Sequence, residues 1–502
     1  MVLELTGSRV LAPFLGTSIV VWTSLIGVVL GALSLGYWWG GRLADRRPEP
    51  RLLARLILLA GVATLLMAGL KGFLLAYLQN KSAFGLSELP LPIAGATLAA
   101  TLVLFGPASV LLGMVSPFAV RLRMEDAKSS GRTAGNLYAL STLGSIVGTF
   151  AAGFWLTATL GTTNIILAMA GVLVLASGCV HKADIKAGLA TMILLVLATA
   201  GLGLWDAHLN ALGLYDLDTG YQRVLVYSTV DKARGEPMRV LATGPEGVQS
   251  AMYPADPQAL AVPYTRFYRL AAHFRPDARR MLMLGGGGYS FPKYVLSQPQ
   301  EFGPQESGGV RMDVVEIDPG VTDIAHKYFD WQDNPAVTVH HDDARRFLAR
   351  EGARTQAEGG AKYQVALVDV FTSHLAVPFH LATRETLTAL ANLLDENGVV
   401  LVNCISAAEG PRSRFYRALL ATYRSVFPRV ESFLVLNPGD PTEFQNILLV
   451  AFKSPAAPAL TSAQPEYQAM LASRYEPRAA LAGDPPVLTD DFAPVDHYLL
   501  NM

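Results

Sequence analysis

Gly285, Gly286, Gly287 and Gly288 close the apolar run 281–284, and acidic residues end three further apolar runs downstream. An apolar stretch that stops in glycines is how a buried parallel strand feeds a tight turn and then a helix. Glycine permits positive φ and, without a Cβ, lets a ligand approach the backbone. The amides that open the following helix would then face that ligand. Glu316 lies near the end of the run 313–318, where a doubly wound fold grips a ribose diol. Asp342 and Asp343 follow the run 337–341, and Asp369 ends the run 363–369. The interval from the glycines to Glu316 exceeds the usual spacing of about twenty residues. The polar segment 297–309 accounts for the excess as a loop insertion. Each carboxylate taken singly also reads as a helix N-cap. Three of them after a glycine turn point instead to a nucleotide-type site.

The order GGGG, VEIDP, DDAR, YQVALVD and then Pro378-Phe-His-Leu-Ala-Thr383 resembles the spermidine synthase (polyamine aminopropyltransferase) family. It is similar in particular to the membrane-embedded, fused branch. The resemblance runs over nearly the whole chain and includes Tyr221-Gln222, Gln249, Tyr264-Thr-Arg-Phe-Tyr268 and Leu488-Thr-Asp-Asp-Phe-Ala-Pro-Val495. It implies a methyltransferase-type Rossmann domain that moves an aminopropyl group from decarboxylated S-adenosylmethionine to a diamine such as putrescine. The donor is then a co-substrate, and no prosthetic group is expected. The resemblance assigns Gly285 to Gly288, Glu316, Asp318, Asp343 and Ala344 to the donor, with Glu316 on the ribose hydroxyls and Asp343 on the adenine amino group. It assigns Gln222, Gln249, Tyr264, Tyr268, Asp369 and His380 to the acceptor side, Asp369 facing the amine, and packs Thr489-Asp-Asp-Phe-Ala-Pro494 near the amine pocket.

The match departs from the family at two positions. Soluble members carry a second Asp, their base, three residues after the counterpart of Asp369, and here that residue is Thr372. They also carry an Asp where Gly288 stands. His374 and His380 lie in the same loop and titrate in a suitable range, so His374 joins Asp369 as the expected catalytic pair. Two other readings stay open. One is a non-enzymatic polyamine or nucleoside sensor, or a transport-associated protein. The other is an S-adenosylmethionine methyltransferase, which needs a cation for the methionine carboxylate and finds only Lys293 near the glycines.

The 502 residues exceed one ordinary domain. Formal net charge is −1, which gives no electrostatic footprint for nucleic acid. Cys179 and Cys404 stand far apart and read as two buried thiols, with no disulfide and no metal cluster. Charged residues are 16% and mean hydropathy is +0.32, high for a soluble chain. Six apolar stretches, near 17–40, 52–78, 93–120, 135–158, 163–180 and 187–205, are long enough to cross a bilayer. Domain limits of 1–205 (membrane helices), 206–272 (linker and small β-subdomain) and 273–502 (Rossmann-like) follow. Glu4 and Arg9 fall where the fused branch ends a further helix, so the chain is expected to be short by one helix.

Arg42, Arg46, Arg47, Arg51 and Arg55, then Arg121, Arg123, Lys128 and Arg132, then Lys182 and Lys186, mark three loops as cytoplasmic. The expected location is the inner cell membrane, with the bilayer, a polyamine and the adenosyl donor as partners and a homodimer an allowed assembly. Counting spans puts the C-terminal domain outside, whereas a cytosolic donor puts it inside, and the face stays open. Gly27, Gly31, Gly36, Gly144, Gly148 and Gly153 suggest close helix packing. The Ala/Pro-rich region 453–487 is expected on the surface.

Overall fold

The computed structural model describes residues 1–15, 18–79, 93–124, 130–181, 185–243, 248–302, 309–358, 362–370, 377–456, 460–477 and 486–500. The chain divides into two compact units, Met1–Arg223 and Val224–Met502.

The first unit is helical: α1 (Val2–Leu15), α2 (Ile19–Arg46), α3 (Pro50–Gln79), α4 (Ile93–Arg123), α5 (Ser130–Ala151), α6 (Thr157–Thr159), α7 (Gly161–Val180) and α8 (Ile185–Ala211), followed by the short strand β1 (Tyr215–Asp218). Among the described residues six helices are long and apolar enough to cross a membrane. A π-helical turn, Ala152–Leu156, carries α5 into α6. Glu4 sits in the first turn of α1, but Arg9 lies mid-helix rather than at an end. Its guanidinium donates to the carbonyls of Thr157, Thr219 and Gly220. Asp218 accepts from the backbone N–H (2.9 Å) and hydroxyl (3.0 Å) of Thr162, tying β1 to the first turn of α7.

Close helix packing falls on only one of the glycines singled out from sequence with backbone against it. Gly36 of α2 faces α4 so tightly that a Cβ there would lie 2.2 Å from the Val110 carbonyl oxygen. A Cβ on Gly113 of α4 would lie 2.6 Å from the Leu33 carbonyl oxygen, and Gly40 meets Met114 in the same way. Around Gly27, Gly31, Gly144 and Gly153 there is open space. Backbone-to-backbone approach of this kind is what joins helices when lipid gives no hydrophobic drive. Cys404 is buried as expected, whereas Cys179 is exposed on α7.

The second unit begins with three antiparallel strands, β2 (Arg223–Asp231), β3 (Glu236–Ala242) and β4 (Ser250–Met252). Two short helices follow, α9 (Pro263–Phe267) and α10 (Leu270–Phe274). Then strands and helices alternate: β5 (Arg280–Leu284), α11 (Ser290–Ser297), β6 (Arg311–Glu316), α12 (Pro319–Tyr328), β7 (Val337–His341), α13 (Ala344–Glu358), β8 (Tyr363–Val368), α14 (Arg384–Leu393), β9 (Leu394–Ser406), α15 (Arg414–Arg424), β10 (Arg429–Leu434), β11 (Gln445–Phe452), α16 (Pro465–Ala472), β12 (Arg474–Tyr475) and α17 (Val495–Leu500). Eight strands form one sheet in the order β12-β10-β11-β9-β8-β5-β6-β7. β5 to β9 pair in parallel, and β10, β11 and β12 join antiparallel.

Both faces of this sheet are covered, which accounts for the uninterrupted apolar runs. Leu282 and Leu284 point into one core with Leu348, Leu390 and Phe415. Met281 and Met283 point into the other with Phe274, Phe291 and Trp331. The expected surface region 453–487 is not all surface: α16 buries Tyr467, Met470 and Leu471 in the second core.

The glycine contacts give a paired test. Gly36→Ala should destabilise the full chain in detergent by about 1–3 kcal/mol, the usual cost of overpacking. Gly31→Ala, with open space around it, should shift the unfolding midpoint little. Equal midpoints for the two variants would remove the α2–α4 contact as a source of stability.

Candidate functional site

The strand order reverses between β5 and β8, so the chain leaves these two neighbours in opposite directions and a crevice opens at their C-terminal ends. Leu284 pairs with Val368 at the last rung. One residue further, the Asp369 N–H donates to the Leu284 carbonyl at 2.9 Å and the Gly285 N–H to the Val315 carbonyl at 2.8 Å. Gly285 has φ +93°, and a Cβ there would stand 2.0 Å from the Asp369 carbonyl oxygen. Glycine is required at this position on both counts.

The next glycines wrap around a carboxylate from β6. Glu316 accepts from the N–H groups of Gly286 (2.8 Å) and Gly287 (3.2 Å) through Oε2, and from Asp318 N–H (3.0 Å) through Oε1. Gly288 N–H donates to the Ser250 hydroxyl at 2.9 Å. The N–H groups of Gly286, Gly287 and Gly288 are therefore bound to Glu316 and Ser250, and these glycines leave room beside the backbone. Burial raises the Glu316 pKa while the three backbone donors oppose that rise. Asp318 caps α12 by accepting from Gly320 N–H at 3.0 Å. Tyr289, at the start of α11, adopts φ +52°, costly for a residue with a Cβ. Its ring stacks on Trp331 at 4.7 Å and its hydroxyl meets that of Thr322 at 2.7 Å, contacts that hold the conformation.

Asp369 keeps some surface open to solvent, but its carboxylate is ringed by side chains. Tyr264 donates its hydroxyl to Oδ2 at 2.8 Å and Asn403 donates Nδ2 to Oδ1 at 3.2 Å. The Tyr268 ring lies edge-on to Tyr264, centroids 5.7 Å apart, and is fully buried. The Tyr264 hydroxyl also stands 3.5 Å from the Gln249 carbonyl oxygen. Crowding by protein raises the Asp369 pKa, against the lowering effect of its hydrogen bonds, and burial beside Asp369 lifts both tyrosines well above their ordinary range. Lys293 on α11 donates to the Phe329 carbonyl, and burial lowers its pKa to about 8.

Asp343 acts as a helix N-cap and also meets a histidine. Oδ1 accepts from Arg346 N–H at 3.0 Å, an N-cap on α13, while Oδ2 faces His380 Nε2 at 3.4 Å. Ala344, buried, opens that helix. His380, expected on the acceptor side, thus stands against the residue expected to meet the donor's adenine. Asp490 grips Arg345 with both oxygens and accepts from Thr383 Oγ1 at 2.8 Å. The C-terminal segment, expected at the amine pocket, therefore braces the Asp343–His380 side. Gln222 belongs to the first unit, where Thr219 closes its turn. Thr372 and His374 lie outside the described residues. Sequence reading missed Ser250, Tyr289, Asn403 and Asn446. Lone asparagines interrupting the apolar runs 399–405 and 445–452 were the available signal for the last two.

A polyamine aminopropyltransferase from Vibrio vulnificus is 33% identical over 267 residues, 50% of this chain and 80% of that protein. An N-terminal histidine N-methyltransferase from Emericella nidulans is 33% identical over 174 residues, 34% of this chain and 29% of that protein. A crystal structure of a probable spermidine synthase from Corynebacterium glutamicum has TM-score 0.43 and 20% identity, covering 56% of this chain and 97% of that one. No family model matches the chain. A parallel-strand nucleotide-type sheet with a carboxylate at its switch point, and a bacterial relative matched over most of its length, define a transferase of the adenosyl-donor class. The chain belongs to the polyamine aminopropyltransferase (spermidine synthase) family.

Asp369→Asn separates stability from chemistry. A carboxyl whose folded pKa is raised binds its proton more tightly folded than unfolded, so it lowers stability progressively as pH rises through the folded pKa. The variant should match the parent at acid pH and become the more stable of the two towards neutral pH. A melting series that instead favours the parent at neutral pH would show that Asp369 is stabilised as an anion.

Proposed function

We propose that this chain is a membrane-integrated aminopropyltransferase of the fused branch, using decarboxylated S-adenosylmethionine as co-substrate and a diamine such as putrescine as acceptor. The observation that carries this reading is Asp369, held at the switch point by Tyr264 and Asn403 and in contact with Gly285. The reaction is a direct displacement. The acceptor nitrogen forms a bond to the propyl carbon next to the sulfonium. The carbon–sulfur bond breaks, its electron pair stays on sulfur, and a neutral thioether leaves. One proton departs from the attacking ammonium. The leaving group is already good, so alignment and proton removal are what the protein must supply.

In this reading Glu316, already fixed by three backbone donors, presents its remaining lone pairs to the ribose hydroxyls. Asp343 accepts from the adenine amino group, and His380 beside it belongs to the donor end. Gly285 to Gly288 let the donor approach the chain. Asp369 holds the acceptor ammonium, with the Tyr264 and Tyr268 rings and Gln249 lining the approach, and Asp369 also takes the proton, since its raised pKa makes it a better base than an exposed carboxylate. Gln222 and His374 remain proposed members of the site. The membrane is proposed to be the inner cell membrane, crossed several times by α2 to α8.

Calorimetry on the full chain in detergent tests the donor half. Decarboxylated S-adenosylmethionine should bind, and Glu316→Ala or Asp343→Ala should weaken it at least about tenfold, the effect of losing a charged hydrogen bond of about 1.5–3 kcal/mol. Preference for S-adenosylmethionine over the decarboxylated donor would favour a methyltransferase. Absence of binding by either would favour a sensor. Turnover with diamines should fall at least about a hundredfold in Asp369→Asn, the usual worth of a general base. Its acid limb should lie above the pH at which an exposed aspartate titrates.

A further inference from the structure

We propose that Asn446 is a positioning residue for the reaction, acting on Asp369 through Asn403. The catalytic meaning of this inference rests on the proposed function; its structural content does not.

The three residues form a row across the ends of three adjacent strands. Val402 of β9 pairs with Val368 of β8, which brings Asn403 beside Asp369. Asn403 pairs with Leu448 of β11, so Asn446, two residues along, is its diagonal neighbour on the same face. Asn446 Nδ2 donates to Asn403 Oδ1 at 2.9 Å, and Asn403 Nδ2 donates to Asp369 Oδ1 at 3.2 Å. Asn403 is 3% exposed, inside a strand segment otherwise made of Val, Leu, Cys and Ile. A buried amide in such a place is costly unless every end of it is bonded.

An asparagine amide can present either its NH2 or its carbonyl to a neighbour. Asn446 removes that freedom. With its NH2 on Asn403 Oδ1, only the NH2 end of Asn403 is left for Asp369. Two donors in series therefore point at the carboxylate and favour its ionised form. On the other side Asp369 meets Tyr264 and Tyr268, both phenols shifted upward by burial and so neutral across the working pH range. Among the described residues no charged side chain is bonded to Asp369, and the polarity of the asparagine row acts beside burial and the Tyr264 hydroxyl in setting how readily that carboxylate gives up its proton. The Asn446 side chain is bonded, among the described residues, to Asn403 and not to Asp369, so its influence passes through Asn403.

Replacing the donor by an isosteric acceptor reverses the row. In Asn446→Asp the new carboxylate turns the Asn403 NH2 towards itself and leaves the Asn403 carbonyl facing Asp369, which then holds its proton to higher pH. Infrared spectroscopy of the full chain in detergent reads this directly. The carbonyl stretch of protonated Asp369 is identified by its loss in Asp369→Asn, and its disappearance with pH gives the titration. A rise of about one pH unit or more is expected for Asn446→Asp, and a smaller rise for Asn446→Leu, which removes the donor without reversing the row. Asn446→Gln should restore the parent titration in part. Where turnover is measurable, the acid limb of the kcat profile should move by the same amount, with the donor KM unchanged. An unmoved infrared titration in both Asn446→Asp and Asn446→Leu, with melting midpoints near the parent, would overturn the inference. If the parent shows no turnover with any diamine, the proposed function fails, while the infrared titration still decides whether Asn446 governs Asp369.

Discussion

The site depends on one contact: the Gly285 backbone lying against the carbonyl of Asp369 at the ends of β5 and β8. The hydrogen bond from Asp369 N–H to the Leu284 carbonyl holds the two strand ends at that distance. Because no side chain intervenes, the chain after Gly285 turns immediately, and Gly286 and Gly287 reach back to Glu316. A displaced loop would lose the bracket on Glu316 and the Ser250 contact together. In the proposed function, donor and acceptor would thus be aligned by the same few ångströms of backbone.

Glu316 and Asp369 are both carboxylates whose pKa is raised by enclosure, yet their surroundings suit them to different work. Glu316 is held by three backbone N–H groups. Backbone donors cannot turn around, so Glu316 Oε2, which takes two of them, stays an acceptor. Asp369 is held by a phenol and a side-chain amide. A hydroxyl rotates and can accept as well as donate, so Asp369 can take a proton without leaving a buried group stranded. In the proposed function one carboxylate is held for recognition and the other is free to cycle, a separation made by the type of donor rather than by charge.

The strands that carry the site were legible in sequence because both faces of the sheet are buried. A short, continuous apolar run closed by glycines or a carboxylate fits a buried parallel strand better than an amphipathic helix or a half-exposed strand. Glu316, Asp343 and Asp369 were found that way. What was not legible came from contacts distant in sequence. Ser250 reaches Gly288 across 38 residues, Asn403 reaches Asp369 across 34, and Asp490 reaches Arg345 across 145. None of these leaves a local pattern. The resemblance sets His380 on the acceptor side, and the turn Phe379–Leu381 brings it against Asp343, a contact no local pattern announced. In the helical unit, apolar length and scarcity of charge showed which segments could span a bilayer. They could not distinguish Gly36, which meets backbone, from Gly31, which meets nothing, because both lie in the same apolar helix.

The departure at Gly288 is built into the packing around it. A Cβ there would stand 3.0 Å from the Ser250 Cβ and 3.3 Å from the Phe329 ring, so β4 and the end of α12 close over the position. An aspartate, which soluble members carry here, would need both neighbours to withdraw. A site decaying under loss of use would leave such a position open, and a vacated carboxylate would leave its donors without an acceptor. Here the Gly288 N–H is bonded to Ser250 Oγ. The loop has been refitted around glycine, with Glu316 and Ser250 together satisfying the amides of three consecutive residues. That degree of internal satisfaction gives a loop whose polar groups are paired without a second acid at the glycine turn.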